Sequence, residues 1–140
     1  MKIVDANVLI HAVNQGSPAH GQARRWLDEA LSGREPLGLP WVVLLAFIRL
    51  TTSNRVFTRP LLVSDAMGIV EIWLGRPVTL EPTPTKRHTG ILRGLLEGAG
   101  SAGNLTTDAH LAALAIEHGA TVVSFDRDFQ RFGVPIEVPS

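Results

Sequence analysis

Apolar residues recur along this chain in short runs separated by single polar residues, and the spacing changes from one run to the next. Lys2-Ile3-Val4 is brief and β-branched, which predicts a strand, and Val8 to Val13 continues apolar past Asp5-Ala6-Asn7 as a short helix. Asn14 to Pro18 reads as a loop. Beyond it Ala19, Ala23, Trp26, Leu27, Ala30 and Leu31 return at helical spacing, with Ser17 placed to cap, Pro18 at the first helical position and Gly33 as the stop. Leu37-Gly38-Leu39 predicts a second strand. Pro40 then opens a helix that is apolar on nearly every side through Leu50, a pattern that calls for burial on most sides.

Ser53 to Pro60 predicts a loop, Ser64 to Leu74 a helix ended by Gly75 and Pro77, and Val78-Thr79-Leu80 a strand. Pro84 to Leu96 predicts a helix whose inner face is Ile91, Leu92, Leu95 and Leu96, with a loop over Glu97 to Gly103. Thr106 or Thr107 can cap a helix carrying Leu111, Ala112, Ala115 and Ile116 until Gly119. Thr121 to Ser124 is β-branched enough for a central strand, and Ile136 and Val138 suit an edge strand. Short strands alternating with helices imply right-handed crossovers and a parallel sheet covered on both faces, hence the α/β class.

Composition narrows this picture rather than changing it. The chain has 140 residues, enough to bury one core, and the expectation is a single domain over 1–140. With 45% apolar and 19% charged residues it is an ordered globular sequence. Cysteine is absent, which removes disulfides, thiolate zinc sites and a cysteine nucleophile together. No run approaches the roughly 20 apolar residues of a membrane span, so the expectation is a soluble, cytoplasmic protein with no membrane partner. A net charge of zero argues against coating nucleic acid through a general positive field. Eleven of the 13 basic residues are arginine, which suits phosphate contacts and is equally the bias of a GC-rich genome.

The chemistry lies in the aspartates. Asp5 follows the first strand, Asp126 and Asp128 follow the strand ending near Ser124, and Asp108 stands at the head of a helix. In open parallel sheets, ligands bind beyond the carboxyl ends of the strands where strand order reverses, so these acids can meet at one edge. Pooled carboxylates without histidine suit a hard cation such as Mg²⁺, and metal-assisted attack on a phosphodiester. Each aspartate also has a plainer role available, as a turn or helix cap. Asp128 is the weakest of the four, since Asp126-Arg127-Asp128 can supply one ligand and one cap. The five histidines show no metal spacing and read as surface residues, with His118 placed against a helix C-terminus. Trp26, Trp41 and Trp73 read as core. No phosphate loop or serine elbow is present.

Four stretches carry a resemblance. They are Ile3 to Leu9; Leu39-Pro40-Trp41 through Arg49, with Thr51 to Phe57; Asn104 to Ala115; and Gly119 to Phe129. Spread over nearly the whole chain, they make it similar to the PIN-domain ribonucleases of the VapC toxin type. That resemblance implies a compact α/β/α domain cleaving RNA, of the tRNA or rRNA class, with Mg²⁺ or Mn²⁺. It makes Asp5, Asp108 and Asp126 the metal-binding catalytic acids and Asp128 an accessory one, with Asn7 and Ser124 as supporting polar residues. Arg49 falls where a positive charge can orient carboxylates or meet RNA, and Arg55, Arg87 and Arg127 are further candidates for phosphate contact.

A second acid, usually glutamate, belongs in the helix after Pro40, and Ala46 stands in its place. The chain is therefore expected to be weakened or inactive as a nuclease with its fold intact, alanine being the best helix former. The implied partner is a VapB-type antitoxin, within a homodimer or a toxin–antitoxin hetero-oligomer. The alternative is a PIN domain without turnover, serving only to bind its antitoxin. A phosphatase of the haloacid-dehalogenase kind, with Asp5 as nucleophile, is disfavoured because Asn7 replaces the second acid it needs.

Overall fold

The computed structural model describes residues 1–140. Five short strands form one parallel sheet: β1 (Lys2–Val4), β2 (Leu37–Gly38), β3 (Thr79–Leu80), β4 (Thr121–Val123) and β5 (Ile136–Glu137), in the order β3-β2-β1-β4-β5. Six α-helices accompany them: α1 (Ala6–Val13), α2 (His20–Ser32), α3 (Trp41–Thr51), α4 (Val63–Leu74), α5 (His88–Ala99) and α6 (Thr106–His118). Two 3₁₀ segments, Gly103–Leu105 and Arg127–Phe132, complete the chain. The α/β class and the parallel sheet are as the alternating pattern predicts.

The central position of β1 follows from its composition. Ile3 and Val4 are fully buried, as expected of a strand covered on both faces, and they pair with β2 on one side and β4 on the other. One core of 26 buried residues joins the strands to α1, α2, α3, α4 and α6. The chain runs outward from β1 through β2 to β3, then returns to β4 and β5 on the other flank. The reversal of strand order therefore falls between β1 and β4, whose carboxyl ends lead to Asp5 and Ser124. Gly119 (φ +63°) makes the left-handed turn from α6 into β4.

Several local expectations are corrected by packing. α2 begins at His20, and Ser17 does not cap it; the Ser17 hydroxyl pairs with His11 Nδ1 at 2.6 Å and accepts from the Ala19 amide. α6 likewise starts without a capping bond from Thr106 or Thr107. α5 starts at His88 rather than Pro84 and runs on to Ala99, into the segment expected to be loop, before Gly100 (φ +73°) ends it. α3 is covered on fewer sides than expected: Val43, Leu44 and Phe47 are internal, whereas Trp41 is 43% exposed and Leu45 57%. Trp41 is thus not core; its indole donates to Glu81 Oε1 at 2.6 Å.

Candidate active site

Asp5 leaves the end of β1 at the point where α1 begins. Its backbone is extended, its Oδ1 accepts from the Ala6 amide at 2.7 Å, and its own amide donates to Val123 O at 2.9 Å. An aspartate here caps α1, the plainer role foreseen for it, and the cap fixes the direction of the carboxylate. Oδ2 accepts from Ser124 Oγ at 2.7 Å.

Ser124 is fully buried and joins the two central strands at this edge. Its hydroxyl donates to Asp5 and accepts from Asn7 Nδ2 at 3.1 Å and from the Asp126 amide at 2.9 Å, using its one donor and both lone pairs. Asn7 in turn accepts at Oδ1 from the Phe125 amide, 3.2 Å away. Asp126 caps the segment Arg127–Phe132 by accepting from the Asp128 amide at 2.8 Å. Two aspartates from chain positions more than a hundred residues apart are thereby held in register by one hydroxyl.

Asp108 enters from the first turn of α6, where the helix dipole favours an anion. Its carboxyl is nevertheless pushed up to about 6, first by burial and then by the charges of Asp5, Asp126 and Asp128, with Arg131 opposing. The Asp5 carboxyl is also raised, by burial above all and by Asp126, against the pull of its bonds to Ser124 and Ala6. These directions identify a pool of mutually repelling carboxylates. No three His, Asp or Glu side chains converge into a ready-made ion cage. A small hard cation that keeps much of its water needs only one or two direct carboxylates, and such a cation would relieve the repulsion that raises Asp108. The all-oxygen donor set fits it.

The structure thus brings together Asp5, Asn7, Asp108, Ser124, Asp126 and Asp128. Arg49 lies exposed on α3 and forms no ion pair, and Ala46 is half-buried on the same helix. Arg131 was missed from the sequence; its signal is a spacing of three from Asp128 in a segment anchored by Phe129 and Phe132. The reading of all five histidines as surface residues is also corrected. His88 is buried, bonded through Nδ1 to Glu117 Oε2 and through Nε2 to His110 Nδ1 at 2.9 Å. His118 ends α6 as expected and meets Thr83 O at 2.8 Å. Two sizeable concavities, of about 580 Å³ beside Asn14 and Phe57 and about 460 Å³ around Lys2 and Trp26, do not include the acids.

A parallel sheet with aspartates pooled where its strand order reverses is the architecture of a PIN domain. The family model for that domain matches residues 2–135, and the chain belongs to this family. Among its relatives, ribonuclease VapC37 of Mycobacterium tuberculosis is 52% identical over 132 residues, 94% of this chain and 92% of the relative. Ribonuclease VapC33 of the same species is 42% identical over the same shares. The solved structure of M. tuberculosis VapC20, a sarcin-ricin loop cleaving toxin, covers 96% of both chains with a TM-score of 0.70 at 20% identity. That of VapBC2 from Rickettsia felis, bound to a DNA fragment from its promoter, covers 99% of this chain and 98% of its own with a TM-score of 0.69 at 20% identity. No helix is long and apolar enough to cross a membrane.

Proposed function

We propose that this chain is the toxin of a toxin–antitoxin pair, a cytoplasmic metal-dependent endoribonuclease carried by one domain spanning 1–140, with a VapB-type antitoxin as partner. The observation that carries the reading is the acid pool of Asp5, Asp108 and Asp126 at the reversal of strand order, in a chain 52% identical to a VapC ribonuclease. Mg²⁺ or Mn²⁺ held by Asp5, Asp108 and Asp126, with Asp128 as accessory, would supply Lewis acidity for hydrolysis of a phosphodiester. Ser124 and Asn7 hold Asp5 and the Asp126 backbone so that the carboxylates do not turn away from one another. The substrate is RNA of the tRNA or rRNA class, recognised chiefly by backbone contacts and shape.

Ala46 favours a second reading, in which the chain binds its antitoxin with little or no turnover. The experiment is cleavage of a fluorescent structured RNA in Mg²⁺, Mn²⁺ or EDTA by the chain and by its Ala46→Glu variant. The proposal expects metal-dependent cleavage that rises by an order of magnitude or more with the glutamate. Absence of cleavage in both chains would leave the binding module as the account of this protein.

A further inference from the structure

We propose that Arg131 is a phosphate-positioning residue at the rim of the acid edge, holding the RNA backbone against carboxylates that would otherwise repel it. The inference rests on the ribonuclease reading above and adds a residue to it.

A 3₁₀ segment has three residues per turn, so side chains at i and i+3 share a face. In Arg127–Phe132 this makes three faces: Arg127 with Gln130, Asp128 with Arg131, and Phe129 with Phe132. Phe129 is 1% exposed and Phe132 6%, which fixes that face inward. Their rings meet at 6.4 Å, and the segment packs on α5, α6 and β5. Asp128 and Arg131 are both exposed on a face of their own, and both act on the Asp108 carboxyl, one with each sign. Of the charged groups acting on Asp108, Asp5, Asp126 and Asp128 are acids and Arg131 alone is a cation. Yet Arg131 closes no ion pair: the chain's six ion pairs leave it out.

An arginine that shares a face with Asp128, acts on Asp108 and bonds no carboxylate keeps its forked donors for something else. A phosphodiester approaching this edge meets negative charge, and a guanidinium can bind two phosphate oxygens at once in a fixed geometry. Arg127 lies on a different face and lacks this placement.

The test is binding of a fluorescein-labelled RNA hairpin by anisotropy in Mg²⁺ at two KCl concentrations, alongside Mn²⁺ calorimetry and thermal melting. Arg131→Ala should weaken RNA binding about fivefold to twentyfold and lower the salt slope by about 0.7, the value of one single-strand phosphate contact. Arg131→Lys should keep most of the slope with a smaller loss. Arg127→Ala should lose less than Arg131→Ala, and in Arg131→Ala the Mn²⁺ affinity should hold or rise while the melting temperature holds or falls slightly, since the cation that opposes the repulsion at Asp108 is gone. RNA binding by Arg131→Ala equal to that of the parent, or a parallel loss of Mn²⁺ binding, would overturn the assignment. A parent chain that binds no RNA at either salt would contradict the ribonuclease reading itself.

Discussion

Replacing Asp108 by asparagine should make the metal-free protein more stable at neutral pH. The carboxyl of Asp108 lies at about 6 in the folded chain against an ordinary 3.8, so the fold binds its proton more tightly than the unfolded chain does. A carboxyl raised in this way opposes folding when ionised: the penalty is absent well below 3.8, grows between 3.8 and about 6, and is full above. About two pH units correspond to at most about 3 kcal/mol. Asp108 keeps some contact with water, and screening reduces that to about 1–2 kcal/mol. Urea denaturation of both proteins in EDTA at pH 4 and pH 8 measures it. The gain from Asp108→Asn should be about 1–2 kcal/mol larger at pH 8 than at pH 4, or about 3–8 °C in Tm. Mg²⁺ should raise the Tm of the parent more than that of the variant. An Asp108→Asn chain whose stability difference is the same at both pH values would refute a carboxyl raised by burial and by its neighbouring acids.

Ser124→Ala removes the hydroxyl shared by Asp5, Asn7 and Asp126; it should cost about 1–3 kcal/mol by urea denaturation, and by calorimetry weaken Mn²⁺ binding about 10-fold to 100-fold. His88→Ala leaves Glu117 and His110 without their buried partner and should cost about 2–4 kcal/mol in the same denaturation, with His88→Gln costing less. Gly119→Ala forces a side chain into φ +63° and should lower stability by about 1 kcal/mol, read as a lower Tm with RNA binding retained.

The sheet and its acid edge were legible because both are written locally. β1 ends at an aspartate that also caps α1, and the β-branched run of β4 ends at the serine and aspartate that meet it. Periodicity and turn residues carry that much. What escaped depends on partners remote in sequence. His88 gives no sign of burial because its partner Glu117 lies 29 residues away. The same docking delays α5: the Thr85 amide donates to Glu117 and His118 bonds Thr83 O, so the residues after Pro84 lie along α6 instead of starting a helix. The Glu117 carboxyl, which burial alone would raise, is held below its usual range by the bonds from Thr85 and His88. Trp41 and Leu45 look internal from hydrophobicity, but a short three-layer fold covers only one side of α3. Arg131 went unnoticed because three-residue periodicity is faint in a six-residue segment.

Seen in physical terms, the chain concentrates its electrostatic cost at one sheet edge and ties that edge together with a single buried hydroxyl. Such an arrangement is unfavourable for folding, and on the proposed function a divalent cation held there would offset that cost. Calorimetric titration with Mn²⁺ of the chain and of its Asp5→Asn and Asp126→Asn variants tests this most directly. Saturable binding that Mg²⁺ displaces, weakened about tenfold or more by each substitution, is the predicted result. Binding of equal strength in all three proteins, or none in the parent, would contradict the metal centre.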